Sequence, residues 1–123
     1  MQLDLLSERD FGWVVGMLEG EGCFGAYQDK RRPDTWTVKI QMESTDLDVV
    51  ERFNKLVPGR VWESVYPSRA LRCPRVKRSW RWAISNKAEC EELGRALHLY
   101  MSRRRQEQIE FMLSHSNYVR KPK

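Results

Sequence analysis

The sequence predicts an α+β fold in which the elements follow the order α-β-β-α-β-β-α-α and four strands form one antiparallel sheet. Three observations support this prediction. Apolar residues recur at helical spacing between positions 11 and 18. Segments 35–44 and 79–85 alternate between apolar and polar residues, as half-buried strands do. Each predicted strand pair is joined by a polar or proline-containing stretch, which is typical of hairpin connections.

The first predicted helix begins at Ser7, which stands three residues before Asp10 in a near capping box. Its apolar face consists of Phe11, Val14, Val15 and Leu18. Glycines at positions 12, 16 and 20 fall every fourth residue on a different face. Each glycine costs a helix about 1 kcal/mol relative to alanine. The stripe therefore predicts that a second helix of the same kind packs closely against this face.

Two acids, Glu19 and Glu21, interleave with Gly20 and Gly22 at the predicted end of this helix. An acid at a helix C-terminus opposes the helix dipole, and glycines there let the chain turn and bring carbonyl oxygens near a ligand. Carboxylate and carbonyl oxygens together are the ligands that magnesium prefers. The alternative interpretation is an ordinary glycine cap with two solvated acids.

Residues 14–22, with the sequence VVGMLEGEG, resemble the nine-residue signature of the LAGLIDADG homing endonucleases. The match to the glycine and acid positions of that signature comprises Gly16, Glu19, Gly20, Glu21 and Gly22. Cys23 and Phe24 follow, where the family commonly has a strand. The motif occurs once, so the resemblance is to the single-motif branch, whose members act as homodimers. It implies the LAGLIDADG fold, a saddle of four antiparallel strands over DNA, with the motif helices at the dimer interface.

The resemblance also implies roles for particular residues. The second motif acid is the family's metal ligand, which corresponds to Glu21, aided by the carbonyl of Gly20 and binding Mg²⁺ or, as a substitute, Mn²⁺. The first acid, Glu19, is expected to be structural. The family's basic active-site residue corresponds best to Arg103, with Arg104 next to it. Its polar residue that positions water corresponds to Gln41, Ser44 or Thr45, and Gln41 is the residue we name as catalytic. The expected dimer interface comprises Gly12, Trp13, Gly16, Glu19 and Gly20.

The remaining elements follow from local patterns. We expect strands at 23–28, 35–44, 60–66 and 79–85, with a polar turn at 29–34 and a basic loop at 67–77. The second helix is expected to begin with Thr45 as its N-cap and to end at Pro58. Ser85 or Asn86 is expected to cap the third helix, and the fourth begins near Ser102. The expected inward residues of these two helices are Cys90, Leu93, Leu97, Tyr100, Ile109, Met112 and Leu113. Residues 1–115 are expected to form one domain, followed by a basic tail at 116–123.

The polar faces of the predicted strands suggest a nucleic-acid contact surface. A curved antiparallel sheet can enter the major groove, and its hydroxyls, amides and cations suit base edges and phosphates. A solvated sheet face is the commoner meaning of such a pattern. The residues that we expect to contact DNA are Tyr27, Thr35, Thr37, Lys39, Gln41, Arg60, Arg69, Arg72, Arg75, Ser79 and Arg81.

Composition limits the remaining classes. The net charge of +5 makes an acidic partner such as nucleic acid plausible. Cys23, Cys73 and Cys90 lack metal-binding spacing, as do His98 and His115, so we expect reduced thiols and no zinc site. No signal peptide or membrane-spanning run is apparent. We expect a protein that is not secreted, acts in the cytoplasm or in an organelle whose genome encodes it, and uses no small-molecule cofactor.

The function predicted from these observations is site-specific, double-strand DNA cleavage of the homing type, serving intron or intein mobility. A metal-dependent homodimer would hydrolyse phosphodiesters on a pseudo-palindromic site. The alternative is a non-cutting relative on the same scaffold, either a DNA-binding regulator or an RNA-splicing maturase. Retention of both motif acids favours cutting.

Overall fold

The computed structural model of the protein describes residues 1–64 and 78–116. Within these ranges the elements follow the predicted order, after a short 3-10 helix at Leu3–Leu5. They are α1 (Glu8–Glu21), β1 (Gly22–Gln28), β2 (Trp36–Ser44), α2 (Leu47–Leu56), β3 (Arg60–Ser64), β4 (Ser79–Ile84), α3 (Lys87–His98) and α4 (Arg103–Ser116). The predicted α+β fold with a four-stranded antiparallel sheet is confirmed.

The strands lie in the order β1-β2-β4-β3, and every neighbouring pair is antiparallel. In this register Phe24 faces Ile40 across β1 and β2, and Met42 faces Trp82 across β2 and β4. Because side chains alternate along each strand, one register places all four of these residues on the same side of the sheet. The helices cover that side, and the opposite side carries the polar residues of the strands.

The core fills the space between the sheet and the helices. Val14 and Leu18 of α1 are fully buried against it. Trp82 lies at the centre, with its ring centroid 4.5 Å from that of Phe53 in an edge-to-face arrangement. Its indole Nε1 donates a hydrogen bond of 2.8 Å to the carbonyl of Val57, so the one polar atom of this buried side chain is satisfied.

Two predicted helix caps are confirmed and one is wrong. The hydroxyl of Ser7 accepts a hydrogen bond from the Asp10 amide at 3.0 Å, and Asn86, rather than Ser85, caps α3 in the same way. Thr45 is not the N-cap of α2; that position belongs to Asp46. Pairing of β2 with β4 continues to Ser44, whose hydroxyl accepts from the Asp46 amide, so the helix begins one residue later than expected.

Tyr100 is a second correction, because its side chain is 60% exposed rather than inward. Helix α3 ends at His98, so the helical spacing that predicted an inward Tyr100 no longer applies. Met101, which is 6% exposed, occupies the core instead, and the Tyr100 ring lies edge-on against Phe11 with centroids 5.6 Å apart. The other predicted inward positions of α3 and α4 are buried, except that Leu113 is half-buried.

Some predictions concern residues outside the described ranges. These are the last two residues of the strand expected at 60–66, the basic loop with Arg69, Arg72 and Arg75, and Cys73. Helix α4 includes Ser116, and 117–123 lie beyond the described part. Within residues 1–64 and 78–116, none of the helices has both the length and the apolar character needed to cross a bilayer.

Candidate functional site

The side of the sheet away from the helices, here called the open face, carries most of the predicted DNA contacts. Val38, Ile40 and Met42 are buried in the core, so the alternating residues of β2 point the other way. The strand register then assigns the matching residues of the other strands to this face. The predicted contacts that lie on the open face are Tyr27, Thr37, Lys39, Gln41, Arg60, Ser79 and Arg81, while Thr35 immediately precedes β2.

Trp62 is an open-face residue that the sequence analysis missed. It pairs with Arg81 across β3 and β4, which fixes its side of the sheet. The Lys39 ammonium lies 5.7 Å from the centroid of the Trp62 ring, and the Arg60 guanidinium lies 5.0 Å from it. Both distances suit cation–π attraction, so the ring holds two cations over the open face. The sequence could have indicated this position. Trp62 stands two residues after Arg60, and residues i and i+2 of a strand lie on the same face.

Glu21, the last residue of α1, lies at the edge of this face. It lines a depression of about 140 Å³ together with Cys23, Gln41, Met42, Glu43 and Arg81. The predicted metal ligand and the predicted water-positioning residue are therefore brought together. Gln41 Oε1 is buried and accepts no hydrogen bond from any described residue. An unpaired buried acceptor is costly in free energy unless another group donates a hydrogen bond to it.

Glu43 lines the depression and accepts hydrogen bonds from two side chains of β4. Its carboxylate accepts a hydrogen bond from the Arg81 Nε at 3.2 Å and a second, shorter one from the Ser79 hydroxyl. The pairing of Glu43 with Arg81 across β2 and β4 places these groups side by side. Glu43 thereby orients Arg81, and it is a second residue of the site that the sequence analysis missed.

A neighbouring groove is lined by Glu21 and by the alternative water-positioning residues, Ser44 and Thr45. All three candidates for that role therefore lie close to Glu21, and the choice among them stays a prediction. Arg103 is exposed at the start of α4 and, among the described residues, does not line either depression; Arg81 is the basic residue that lines the first. The role of Arg103 likewise stays a prediction.

Glu19, two residues before Glu21, is tied to the start of α4. Its Oε1 accepts a hydrogen bond from the Ser102 amide at 2.6 Å, and its Oε2 accepts one from the Ser102 hydroxyl at 2.8 Å. Arg105 donates from Nε to the Glu19 carbonyl at 3.1 Å. The hydrogen bond from the Ser102 amide is the main reason that the pKa of Glu19 lies below its ordinary value. Partial desolvation raises this pKa, whereas the Ser102 hydroxyl and the charges of Arg105 and Arg104 lower it further.

Arg105 is the third residue that sequence reasoning missed. Its side chain is buried, and it precedes Ile109 and Met112 by four and seven residues. That spacing places Arg105 on the core-facing side of α4, so the sequence could have indicated that its side chain is buried. A buried arginine requires partners, and Arg105 has the Glu19 carbonyl and the Gln108 side chain.

The three glycines of α1 lie on its exposed side. A Cβ atom added at Gly12, Gly16 or Gly20 would meet no described atom within 4 Å beyond the adjacent residues and the backbone of its own helix. Packing among the described residues therefore gives no reason for glycine at these positions. Trp13 is half-buried, with its ring 6.1 Å from Phe53 and the Arg52 guanidinium 4.1 Å from its centroid.

Gly22 has a clear reason to be glycine. A Cβ there would lie 2.4 Å from the carbonyl oxygen of Leu18, which accepts a hydrogen bond from the Gly22 amide. The glycine lets β1 start directly at the end of α1. That junction places Glu21 against β2.

No three His, Cys, Asp or Glu side chains in residues 1–64 and 78–116 are arranged to hold a metal ion. His98 pairs with Glu110 at 2.7 Å, and the His115 ring lies 3.8 Å from that of Trp36. Both histidines thus have structural contacts. The oxygen donors at the end of α1 are the Glu21 carboxylate and the terminal carbonyls of the helix.

Neither a family model nor a curated protein sequence matches the chain. Solved structures with the same fold do exist, and the three most relevant here are homing endonucleases. The chain is similar to homing endonuclease I-CvuI, solved with a DNA target and Mg without cleavage of the DNA: the TM-score is 0.68 at 15% identity, over 90% of this chain and 69% of that one.

Two further structures give the same result. An archaeal intron-encoded homing endonuclease, I-Vdi141I, solved with DNA, matches with a TM-score of 0.61 at 19% identity, over 85% of this chain and 66% of that one. Homing endonuclease I-TnaI matches with a TM-score of 0.58 at 16% identity, over 81% of this chain and 67% of that one. The chain therefore has the homing-endonuclease fold, and it spans about two thirds of the length of these proteins.

Proposed function

We propose that this protein is a metal-dependent, site-specific DNA endonuclease of the homing type, in the single-motif LAGLIDADG branch. The observation that carries the proposal is the depression in which Glu21, Gln41 and Arg81 meet at the edge of a basic sheet face. The fold shared with DNA-bound homing endonucleases supports it.

The open face is the proposed DNA-binding surface. Lys39 and Gln41 on the central strand β2 would contact base edges in the major groove, where amides and cations can discriminate base pairs. Arg60 and Arg81 would contact phosphates, which position the protein without reading sequence. The net charge of +5 favours association with a polyanion. Arg69, Arg72 and Arg75 remain proposed contacts outside the described residues.

The donors at the end of α1 fit part of a magnesium or manganese site. The Glu21 side chain is exposed, and carboxylate and carbonyl oxygens suit hard cations. One chain offers fewer protein ligands than such an ion takes, but magnesium usually keeps several waters and takes phosphate oxygens as the remainder. When bound, the cation would offset charge on the phosphate oxygens and acidify a water molecule.

The chain's own residues would carry the other tasks in cleavage. Glu21, with the Gly20 carbonyl, would hold the cation at the edge of the DNA surface. Gln41, which lines the depression beside Glu21, would orient the attacking water through its side-chain amide. Arg81, held by Glu43, would lie near the phosphate charge, and Arg103 is proposed as a further basic group.

A homodimer would supply one Glu21 to each DNA strand. We propose that two copies pack through the exposed glycine side of α1, where helix backbones can approach closely. Two-fold symmetry would then require a roughly palindromic target. We further propose that the protein acts in the cytoplasm, or in an organelle that encodes it, as part of a mobile intron or intein.

The test is incubation with a randomised duplex library and Mg²⁺, followed by sequencing of the cut ends. We expect ends that derive from one palindromic family and depend on the metal, with EDTA and the Glu21→Gln variant as controls. Enrichment of bound duplexes without any cut ends would overturn the proposal in favour of a DNA-binding regulator. Binding of RNA in preference to duplex DNA would favour the maturase alternative.

A further inference from the structure

The last turn of α1 is poorly restrained by its own sequence. Glu21 stands between Gly20 and Gly22, and glycine loses the most backbone freedom on ordering. The final carbonyls of a helix also lack partners within the helix. The orientation of the Glu21 carboxylate and the Gly20 carbonyl therefore requires restraint from outside α1.

On one side this restraint comes from β1, where Gly22 pairs with Met42 of β2. Arg105 supplies a second restraint. Its Nε donates to the Glu19 carbonyl at 3.1 Å and lies 3.7 Å from Glu19 Oε2, so one guanidinium holds both the main chain and the side chain of Glu19. The guanidinium is itself fixed, because Nη1 donates to Gln108 Oε1 at 2.9 Å. With only 7% of the residue exposed, Arg105 has little freedom to leave this position.

Ser102 reinforces the same connection from the N-terminus of α4. Its amide and hydroxyl both donate to the Glu19 carboxylate, so an acid of α1 satisfies an amide that the α4 helix leaves unpaired. Helix α4 is anchored in the core by Ile109 and Met112, which are fully buried. The last turn of α1 is thus fastened to a helix that is itself anchored in the core.

We infer that Arg105 is a positioning residue for the Glu21 site: by holding the Glu19 carbonyl it fixes the last turn of α1, and so sets the placement of the Glu21 carboxylate and Gly20 carbonyl toward a divalent cation. The inference rests on the proposed function for the identity of the ligand, but its structural part can be tested separately. Partners that orient metal ligands without touching the metal have large effects on affinity in other proteins.

The first measurement is amide hydrogen exchange of the metal-free protein by NMR. The Gly22 amide, which donates to the Leu18 carbonyl across the last turn, is the reporter. In Arg105→Gln we expect its exchange to be faster by about tenfold, as expected on loss of one hydrogen bond to a charged group. Arg95→Gln is the matched control, because it removes an exposed arginine that pairs only with Glu91 among the described residues. An unchanged Gly22 rate in a folded Arg105→Gln variant would overturn the inference.

The second measurement is Mn²⁺ titration followed by paramagnetic broadening of the Gly20 and Gly22 amides. We expect Arg105→Gln to raise the Mn²⁺ concentration for half-maximal broadening by about 10- to 100-fold, and Arg95→Gln to leave it unchanged. Equal Mn²⁺ affinities in parent and variant would contradict the positioning role. If the parent shows no broadening there at all, the metal site of the proposed function fails, while the exchange result still decides whether Arg105 fixes the turn.

Ser102→Ala is the milder variant if Arg105→Gln does not fold. It removes the hydroxyl contact to Glu19 and leaves Arg105 in place. We expect changes of the same sign and smaller size in both measurements. Arg105→Lys gives the decisive result if Arg105→Gln does not fold, because it keeps the positive charge but cannot make both guanidinium contacts, to the Glu19 carbonyl and to Gln108. An unchanged Gly22 exchange rate in Arg105→Lys would contradict the inference.

Discussion

The last turn of α1 takes part in two regions whose charged and polar groups differ in their partners. One is its junction with α4, and the other is the depression between α1 and the sheet. At the junction, Glu19 accepts hydrogen bonds from the Ser102 amide and hydroxyl and pairs with Arg105. In the depression, the Glu21 side chain is exposed, and Gln41 Oε1 is buried and accepts no hydrogen bond from the described residues. The polar groups of the junction are paired within one chain, whereas the depression keeps an exposed carboxylate and an unpaired buried oxygen.

The largest effect should come from removing the charge of Glu21. Glu21→Gln keeps the size of the side chain and should abolish cleavage. This loss should exceed the roughly 10- to 100-fold loss that follows removal of a residue that only orients a metal ligand. DNA affinity should be unchanged or slightly higher, because contacts elsewhere dominate binding and a negative charge near phosphate is lost. Cleavage and binding of the selected duplex, assayed beside the parent protein, check this; full activity of the variant would remove Glu21 from the site.

Glu19→Gln should mainly reduce stability. The amide cannot reproduce the charge-assisted contacts with Ser102 and Arg105, so we expect the free energy of unfolding to fall by about 1–2 kcal/mol. Urea unfolding measures the stability of both acid variants. The free energy of unfolding of Glu21→Gln should equal that of the parent protein. Loss of stability in Glu21→Gln, with none in Glu19→Gln, would reverse the roles assigned to the two acids.

These two acids also show what sequence alone can predict here. Local features are accessible to it: Ser7 and Asn86 cap helices because each precedes its partner amide by three residues, and alternation fixes the two sides of β2. The partners of Glu19 are not accessible, because Ser102 lies 83 residues away in the chain and only the packing of α4 brings it near. The motif spacing indicates Glu21, but the register with β2 and β4 is needed to bring Gln41, Glu43 and Arg81 beside it.

The open face beside the depression should control the salt dependence of binding. Arg81→Ala should lower the slope of log affinity against log salt by about one unit if Arg81 contacts one phosphate. Lys39→Ala should change the preferred site more than the slope, since we place Lys39 at base edges. Fluorescence anisotropy at several salt concentrations measures both effects. Unchanged affinity and site preference in both variants would show that the open face is not the DNA surface.

The smallest effect concerns acid stability in EDTA. Because the pKa of Glu19 is lower in the folded protein than its ordinary value, its contribution to stability is present above the unfolded pKa and is lost as the pH falls through the folded pKa. Below pH 4 the parent should therefore lose more stability than Glu19→Gln, by less than about 1 kcal/mol because the carboxylate is partly exposed. Parallel unfolding curves at pH 6 and pH 3 check this, and an equal loss in both proteins would argue against the junction.

The central proposal is that a second copy of the chain packs through the glycine side of α1 and supplies the second Glu21. Sedimentation velocity of the unmutated protein at micromolar concentration tests it most directly, with Gly16→Leu as the control because its side chain would occupy the exposed glycine side of α1. We predict that the parent sediments as a species of twice the 14.7 kDa chain mass, and that Gly16→Leu shifts it to the monomer. A parent protein that sediments as a monodisperse monomer would contradict the account.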